Sequence, residues 1–199
     1  MKKILHIISS PRGGESYSIK LGNAIVDKIK SVYPGSTVKE NNLAKNQFPH
    51  LDEAQIASFF TPEEFRTPEN LEAVRNSDKA INEIMEADIL VIGAPFYNFS
   101  IHSTLKAWID HIARAGVTFR FTEKGYEGLV HGKKVYIAVA SGGIYSDGAM
   151  QSYDFSAPYL KAILGFLGIT DVNVIRVEGT AIPGIQDSAL HKAISSIKL

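Results

Sequence analysis

Three short apolar runs constrain this chain more than any other feature: KKILHIISS at residues 2–10, ADILVIGA at 87–94 and KKVYIAVA at 133–140. Each is rich in β-branched residues, lacks a regular polar alternation and is too short for a core helix. That is the profile of a strand covered on both faces. Such a strand needs helices above and below it, and the segments between the runs supply them. SYSIKLGNAIVDKIKSVYP carries Ile19, Leu21, Ile25, Val26 and Ile29 near helical spacing and stops before Pro34. Residues 68–85, residues 101–115, the stretch APYLKAILGFLG and the residues after Pro183 read as further helices. STVKENNL is a polar strand suited to a sheet edge, and DVNVIRVEG is a fifth strand. Strands alternating with helices imply an α/β fold with a mainly parallel, five-stranded sheet and right-handed crossovers. Residues 43–68 read as irregular, although TPEE and TPEN each offer Thr as a cap and Pro at the first helical position, which predicts two helix starts. Without an internal repeat or a Gly/Ser linker, residues 1–199 read as one domain.

Composition narrows the function classes. Lys+Arg and Asp+Glu number 21 each, so the chain has no electrostatic footprint for nucleic acid or an acidic membrane surface. Cysteine is absent, which removes disulfides, thiolate metal sites and cysteine nucleophiles and fits a reducing compartment. The N-terminal run ILHII is too short for a membrane span or a signal-peptide core, so a cytoplasmic location is expected. The six histidines form no HExxH or His-x-His pair, and no GxSxG elbow is present. No metal is expected, nor a Ser–His–Asp hydrolase. Arg12, Lys133 and Lys134 read as surface cations.

In an open parallel sheet, ligands bind beyond the carboxyl ends of the strands, so the loops after the strands carry the function. After the first strand, residues 9–18 read SSPRGGESYS, in which hydroxyls and a glycine pair beside a helix start suit an anion such as a phosphate. Ser16 serves equally well as a plain helix cap. This loop has neither the lysine and spacing of a P-loop nor GxGxxG. After the third strand, residues 94–101 read APFYNFSI. Aromatic faces and an asparagine amide suit a flat ring with a polar edge, and packing as core is the competing reading. After the fourth strand, residues 141–148 read SGGIYSDG, a backbone able to approach a ligand closely or a plain turn. Hydroxyls, aromatics with Asn and a glycine pair at one sheet edge together describe a site for a phosphate plus a planar polar ring, a flavin mononucleotide.

The block FYNFSIHSTLKAWIDHIARAGVTFRFTEKGYEGLVHGKKV at residues 96–135, with SGGIY and LGFLGITDV, resembles the FMN-dependent NADH:azoreductase and quinone reductase family over nearly the whole chain. The resemblance implies a flavodoxin-like, doubly wound three-layer sandwich and a homodimer with active sites at its interface. It implies FMN held by Ser9, Ser16 and Ser18 at the phosphate, by Phe96, Tyr97, Asn98 and Phe99 along the isoalloxazine, and by Ser141, Gly142 and Gly143 at its edge. Phe121 and Phe166 match aromatics that help close the substrate pocket, partly from the partner subunit. NADH or NADPH would donate a hydride to the flavin and a quinone or azo compound would take it, in ping-pong order, with no side chain as dedicated acid or base. Asp110 and His111 fall on the helix and read as packing or surface residues.

This chain departs from the family pattern at three places. Ala140 stands before SGG where relatives often carry Ser-Arg-Gly-Gly, Phe121 replaces a frequent Tyr, and His102 replaces Pro or Ser at a helix start, where a solvent-exposed role is expected. Residues 51–67, where relatives place a lid residue, match weakly. Competing functions are a flavodoxin-type electron carrier and a sensor without turnover; carriers of that type are strongly acidic, and this chain is not.

Overall fold

A computed structural model describes residues 1–199. In chain order it contains β1 (Lys3–Ile8), α1 (Tyr17–Val32), β2 (Thr37–Asn42), α2 (Glu53–Phe60), α3 (Pro68–Glu86), β3 (Ile89–Pro95), α4 (Ser103–Ile112), β4 (Phe119–Thr122), β5 (Gly125–Gly128), β6 (Lys134–Ala140), α5 (Ala157–Phe166), β7 (Asp171–Val177) and α6 (Gln186–Ser195). The five long strands form one parallel sheet in the order β2-β1-β3-β6-β7. The direction of winding reverses between β1 and β3, so the loops after these strands open a crevice at the carboxyl edge.

Side-chain alternation divides the core between two helical layers. Ile4, Ile89, Val91, Tyr136 and Ala138 face Leu21, Ile25 and Ile29 of α1 and Ala189 and Ala193 of α6. Leu5, Ile7, Leu90, Ile92 and Ile137 face Ile81 and Ile84 of α3, Leu105 and Trp108 of α4, and Leu160 and Leu164 of α5. β2 is mostly exposed and lies at the edge, as its polar sequence requires. Fully burying one such aliphatic side chain contributes roughly 1.5–3 kcal/mol, so these two layers hold the carboxyl-edge loops on a rigid frame.

Of the two helix starts offered by TPEE and TPEN, only the second produces an α-helix. Thr67 and Asn70 form a reciprocal capping box and Pro68 opens α3. TPEE leads only to a 3-10 turn at Glu63–Phe65. α2 lies inside the stretch read as irregular; its own capping box, Asp52 with Gln55, opens eight residues, too few for helical periodicity to declare itself. Tertiary contact completes it, with Asn70 donating to Ser58 Oγ at 2.9 Å. The β4–β5 hairpin is a further departure from the five-strand expectation. Lys133 is not merely solvated: its Nζ donates to Met85 O at 2.6 Å and Ala87 O at 2.7 Å, satisfying carbonyls at the end of α3. No helix is long and apolar enough to cross a membrane.

Candidate functional site

The first loop is built around hydroxyls that do not cap. Ser16 occupies the cap position of α1 without a side-chain capping bond. Its Oγ instead lies 3.0 Å from Ser18 Oγ, and both serines are buried. The amides of Tyr17 and Ser18, in the first turn of α1, have no carbonyl within the helix to reach. Buried hydroxyls beside amides at the positive end of a helix dipole make an anion-binding arrangement. Ser9 has a different position: it is fully buried and its Oγ donates to Gly93 O at 2.7 Å. Its one proton ties β1 to β3 beneath the loop.

The APFYNFSI loop closes on itself. Tyr97 N donates to Ser100 O and Ser100 N donates to Tyr97 O, each at 2.9 Å. The two residues between them, Asn98 with φ +48° and Phe99 with φ +69°, both occupy the left-handed region, which is the requirement of a type I′ turn. Asn enters that region readily, whereas Phe does so at a cost of about 1–2 kcal/mol. The surroundings hold it there: Phe99 O accepts from Phe155 N at 3.0 Å, and its ring meets Tyr153 with centroids 5.3 Å apart. Strain that persists in this way belongs with a functional turn. Asn98 N and Phe99 N have no protein acceptor, so the turn presents two free amide donors at the sheet edge.

The third loop is tied to a fourth. Carbonyls of Ser141, Gly142 and Gly143 accept from Thr180 N, Ala181 N and Gly179 N at 3.3, 3.1 and 3.0 Å. The amides of Gly142 and Gly143 have no protein acceptor and complete the set of free donors. The glycines allow close approach: a Cβ on Gly142 would stand 3.3 Å from Ala181 Cβ, and one on Gly143 would stand 3.1 Å from the Tyr145 ring. That ring lies 4.3 Å from Phe96, centroid to centroid, and joins the second and third loops. Tyr145 N in turn donates to Glu178 Oε1 at 2.8 Å, and Arg176 bridges Glu178 and Asp154.

Between these loops lies a cavity of about 390 Å³ that brings together Ser16, Phe96, Tyr97, Ser141 and Gly142. A second, of about 610 Å³, adjoins it across Tyr97 and includes Asn98, Ser100, His102, Lys106 and Tyr159. His102 departs from its expected role as a solvent-exposed residue: it is half-buried, and its Nδ1 caps α4 by accepting from Thr104 N at 3.3 Å. Its ring stands edge-on to Tyr97 at 5.2 Å, and burial lowers its pKa from the ordinary histidine value. Arg12, read as a surface cation, is exposed but borders the smaller cavity, as do Ser10, Tyr17, Thr180 and Ala181. Thr180 and Ala181 follow β7, and carrying the carboxyl-edge rule to that strand finds them.

Phe121 and Phe166 are brought together with Phe119 but not with the cofactor loops. Phe119 lies 4.4 Å from the Phe166 ring and 5.7 Å from that of Phe121. The hairpin enters after α4 has returned from the carboxyl edge, and Val130 N donates to Leu167 O just before β7 begins. These aromatics therefore sit at the amino edge of their own sheet, with Phe121 76% exposed. Asp110 pairs with Lys106 at 2.5 Å. His111 is buried against Phe48 and Phe59, with Nε2 3.0 Å from Pro49 O. Asp110 makes a surface contact and His111 packs in the interior, the two roles their helical position suggested.

A doubly wound parallel sheet in this order, with hydroxyls, aromatics and unpaired amides at its switch point, defines a flavodoxin-like protein. The chain belongs to that family, whose sequence profile, described as a flavodoxin-like fold, matches residues 2–198. It is 52% identical over 181 residues to the FMN-dependent NADH:quinone oxidoreductase of Herminiimonas arsenicoxydans, covering 91% of this chain and 89% of that protein. Against the protein of the same name from Mesorhizobium japonicum it is 45% identical over 195 residues, covering 98% and 93%. Among solved structures it is similar to an azoreductase from Bacillus anthracis, with a TM-score of 0.91, 31% identity and coverage of 98% and 96%. An FMN-dependent NADH-azoreductase from the same species, solved in complex with FMN, superposes with a TM-score of 0.86 at 30% identity, covering 98% of this chain and 97% of that one.

Proposed function

We propose that this chain is an FMN-dependent NADH:quinone oxidoreductase that also reduces azo compounds. The observation that carries the reading is the meeting of Ser16, Phe96, Tyr97, Ser141 and Gly142 around one crevice, in loops that also carry the free amides of Asn98, Phe99, Gly142 and Gly143 and the buried Ser18 hydroxyl beside Ser16. That donor set fits FMN: hydroxyls and helix amides for a phosphate, amides for a ring edge, Phe96 and Tyr97 for a ring face. The names of the relatives and the FMN complex of a neighbour support the same choice.

In this reading Ser16 and Ser18 hold the phosphate with the first amides of α1, while Ser9 fixes the loop to β3. Phe96, Tyr97 and Phe99 flank the isoalloxazine. Asn98 and Ser141 sit at its polar edge, and the amides of residues 98–99 and 142–143 stabilise negative charge that develops there. Bound FMN supplies the chemistry, taking a hydride from NADH or NADPH and giving two electrons to the acceptor. The protein positions the ring and excludes water, and no side chain acts as a dedicated acid or base. Residues 1–199 act as one domain, in the cytoplasm. Two chains form a homodimer in which Phe121 and Phe166 of one copy close the acceptor pocket of the other.

Steady-state rates with the FMN-loaded protein test this reading, with NADH and a benzoquinone varied together. Parallel double-reciprocal lines are expected for ping-pong exchange. Intersecting lines would overturn the ping-pong order, and absence of turnover would leave the electron-carrier reading.

A further inference from the structure

The larger cavity is bordered by a histidine whose ring is fixed by a helix cap. His102 opens α4, and Thr104 N–H donates to its Nδ1, so that nitrogen carries a lone pair. The Thr104 hydroxyl lies 2.8 Å from the same Nδ1 and 3.3 Å from Ser9 O, and its single proton can go to either. The capping bond assigns the lone pair to Nδ1 and the proton of a neutral ring to Nε2. A cation there would sit at the positive end of the helix dipole and set Nδ1–H against the Thr104 amide. Burial acts in the same direction. The ring is braced edge-on by Tyr97, and Nε2 has no protein partner. Around it the cavity is mixed in character, with Asn98, Ser100 and Tyr159 beside Lys106, whose charge is engaged by Asp110.

We propose that His102 is an acceptor-binding residue whose Nε2–H donates a hydrogen bond to a carbonyl oxygen of a quinone seated in this cavity, favouring oxygen-bearing acceptors. The inference rests on the reading of the chain as a quinone reductase. A neutral donor fixed by a helix amide polarises the carbonyl without being consumed, since giving up the Nε2 proton would leave an imidazolate. The reduction balances without it: the quinone gains a hydride, equivalent to two electrons and one proton, and one further proton from solvent completes the quinol. Cap geometry makes the role specific, because Ser at this position would still accept from Thr104 N but would carry no donor that far into the cavity.

The test uses FMN-loaded protein and duroquinone, a fully substituted benzoquinone that cannot add to lysine. In proton–nitrogen correlation spectra of nitrogen-15-histidine-labelled oxidised protein, His102 is expected as the Nε2–H tautomer, and saturating duroquinone is expected to move its Nε2–H signal. In stopped flow, His102→Ser is expected to lower the ratio of duroquinone reduction rate to NADH oxidation rate by about tenfold, the loss of one hydrogen bond. The same ratio measured with ferricyanide, which offers no carbonyl, is expected to change less than twofold. An Nδ1–H tautomer, an unmoved signal in the presence of bound duroquinone, or an equal fall with both acceptors would overturn the proposal. Failure of NADH to reduce the bound flavin in the parent protein would instead overturn the quinone-reductase reading on which it stands.

Discussion

At the residue scale, the APFYNFSI turn answers why one asparagine sits among three aromatics. Asn98 and Phe99 must both enter the left-handed region, and Asn is among the few side chains that do so readily. Asn98→Ala is expected to lower unfolding stability by about 1 kcal/mol, whereas Asn98→Gly is expected to leave it nearly unchanged. Both remove the side-chain amide, so both are expected to weaken FMN binding by up to about tenfold, read from flavin fluorescence. FMN bound as tightly by Asn98→Gly as by the parent would remove the side chain from the site. A second residue carries a pH signature. His6 lies buried on β1 against Gly22, its Nε2 has no partner, and burial pushes its pKa down to about 4 from 6.5. The folded state keeps it neutral while the unfolded chain takes up a proton. Stability is therefore full above pH 6.5 and falls as pH drops towards about 4, by about 3 kcal/mol in all. His6→Leu is expected to reduce the acid slope in urea unfolding across that window; an unchanged slope would mean that His6 takes up its proton without penalty in the fold.

At the scale of elements, the contact between hairpin and sheet is the tightest backbone approach. A Cβ on Gly128 would stand 2.1 Å from Gly168 N, so Gly128→Ala must displace β5 or the turn before β7. A loss of about 3 kcal/mol is expected in thermal or denaturant unfolding. Retention of full stability would show that the hairpin moves freely. The same hairpin leaves little trace in the sequence. β4 and β5 are four residues each and mostly exposed, so they offer no buried run and no long alternation. α2 was hidden for a related reason: its capping box was present in LDEAQ, but eight residues make barely two turns. The long elements were legible because burial on one or both faces stamps a period on the sequence. Within the site, the loops were legible from their position after β1, β3 and β6. The commitment of the Ser9 proton to Gly93 and the capping role of His102 were not, because each depends on a partner brought near only by folding.

For the whole molecule, the question is what covers the amino-edge aromatics. Phe121 and Tyr126 are 76% and 61% exposed, an apolar surface that a chain with no net charge is poorly equipped to keep apart from its own kind. The homodimer proposed above would bury it and bring Phe121 towards a partner's crevice. Analytical ultracentrifugation is expected to give twice the 21.8 kDa chain mass, and Phe121→Asp is expected to lower both that mass and the turnover with quinone. A parent protein that sediments as one chain and turns over normally would contradict the shared site.

Three loops at one sheet edge are proposed to hold a flavin that exchanges electrons with a nicotinamide. The visible spectrum of purified, FMN-loaded protein under anaerobic conditions, before and after adding NADH, decides this. Rapid bleaching of the flavin band and its return on adding benzoquinone are expected. A bound flavin that neither NADH nor NADPH bleaches, or a protein that retains no flavin, would contradict it.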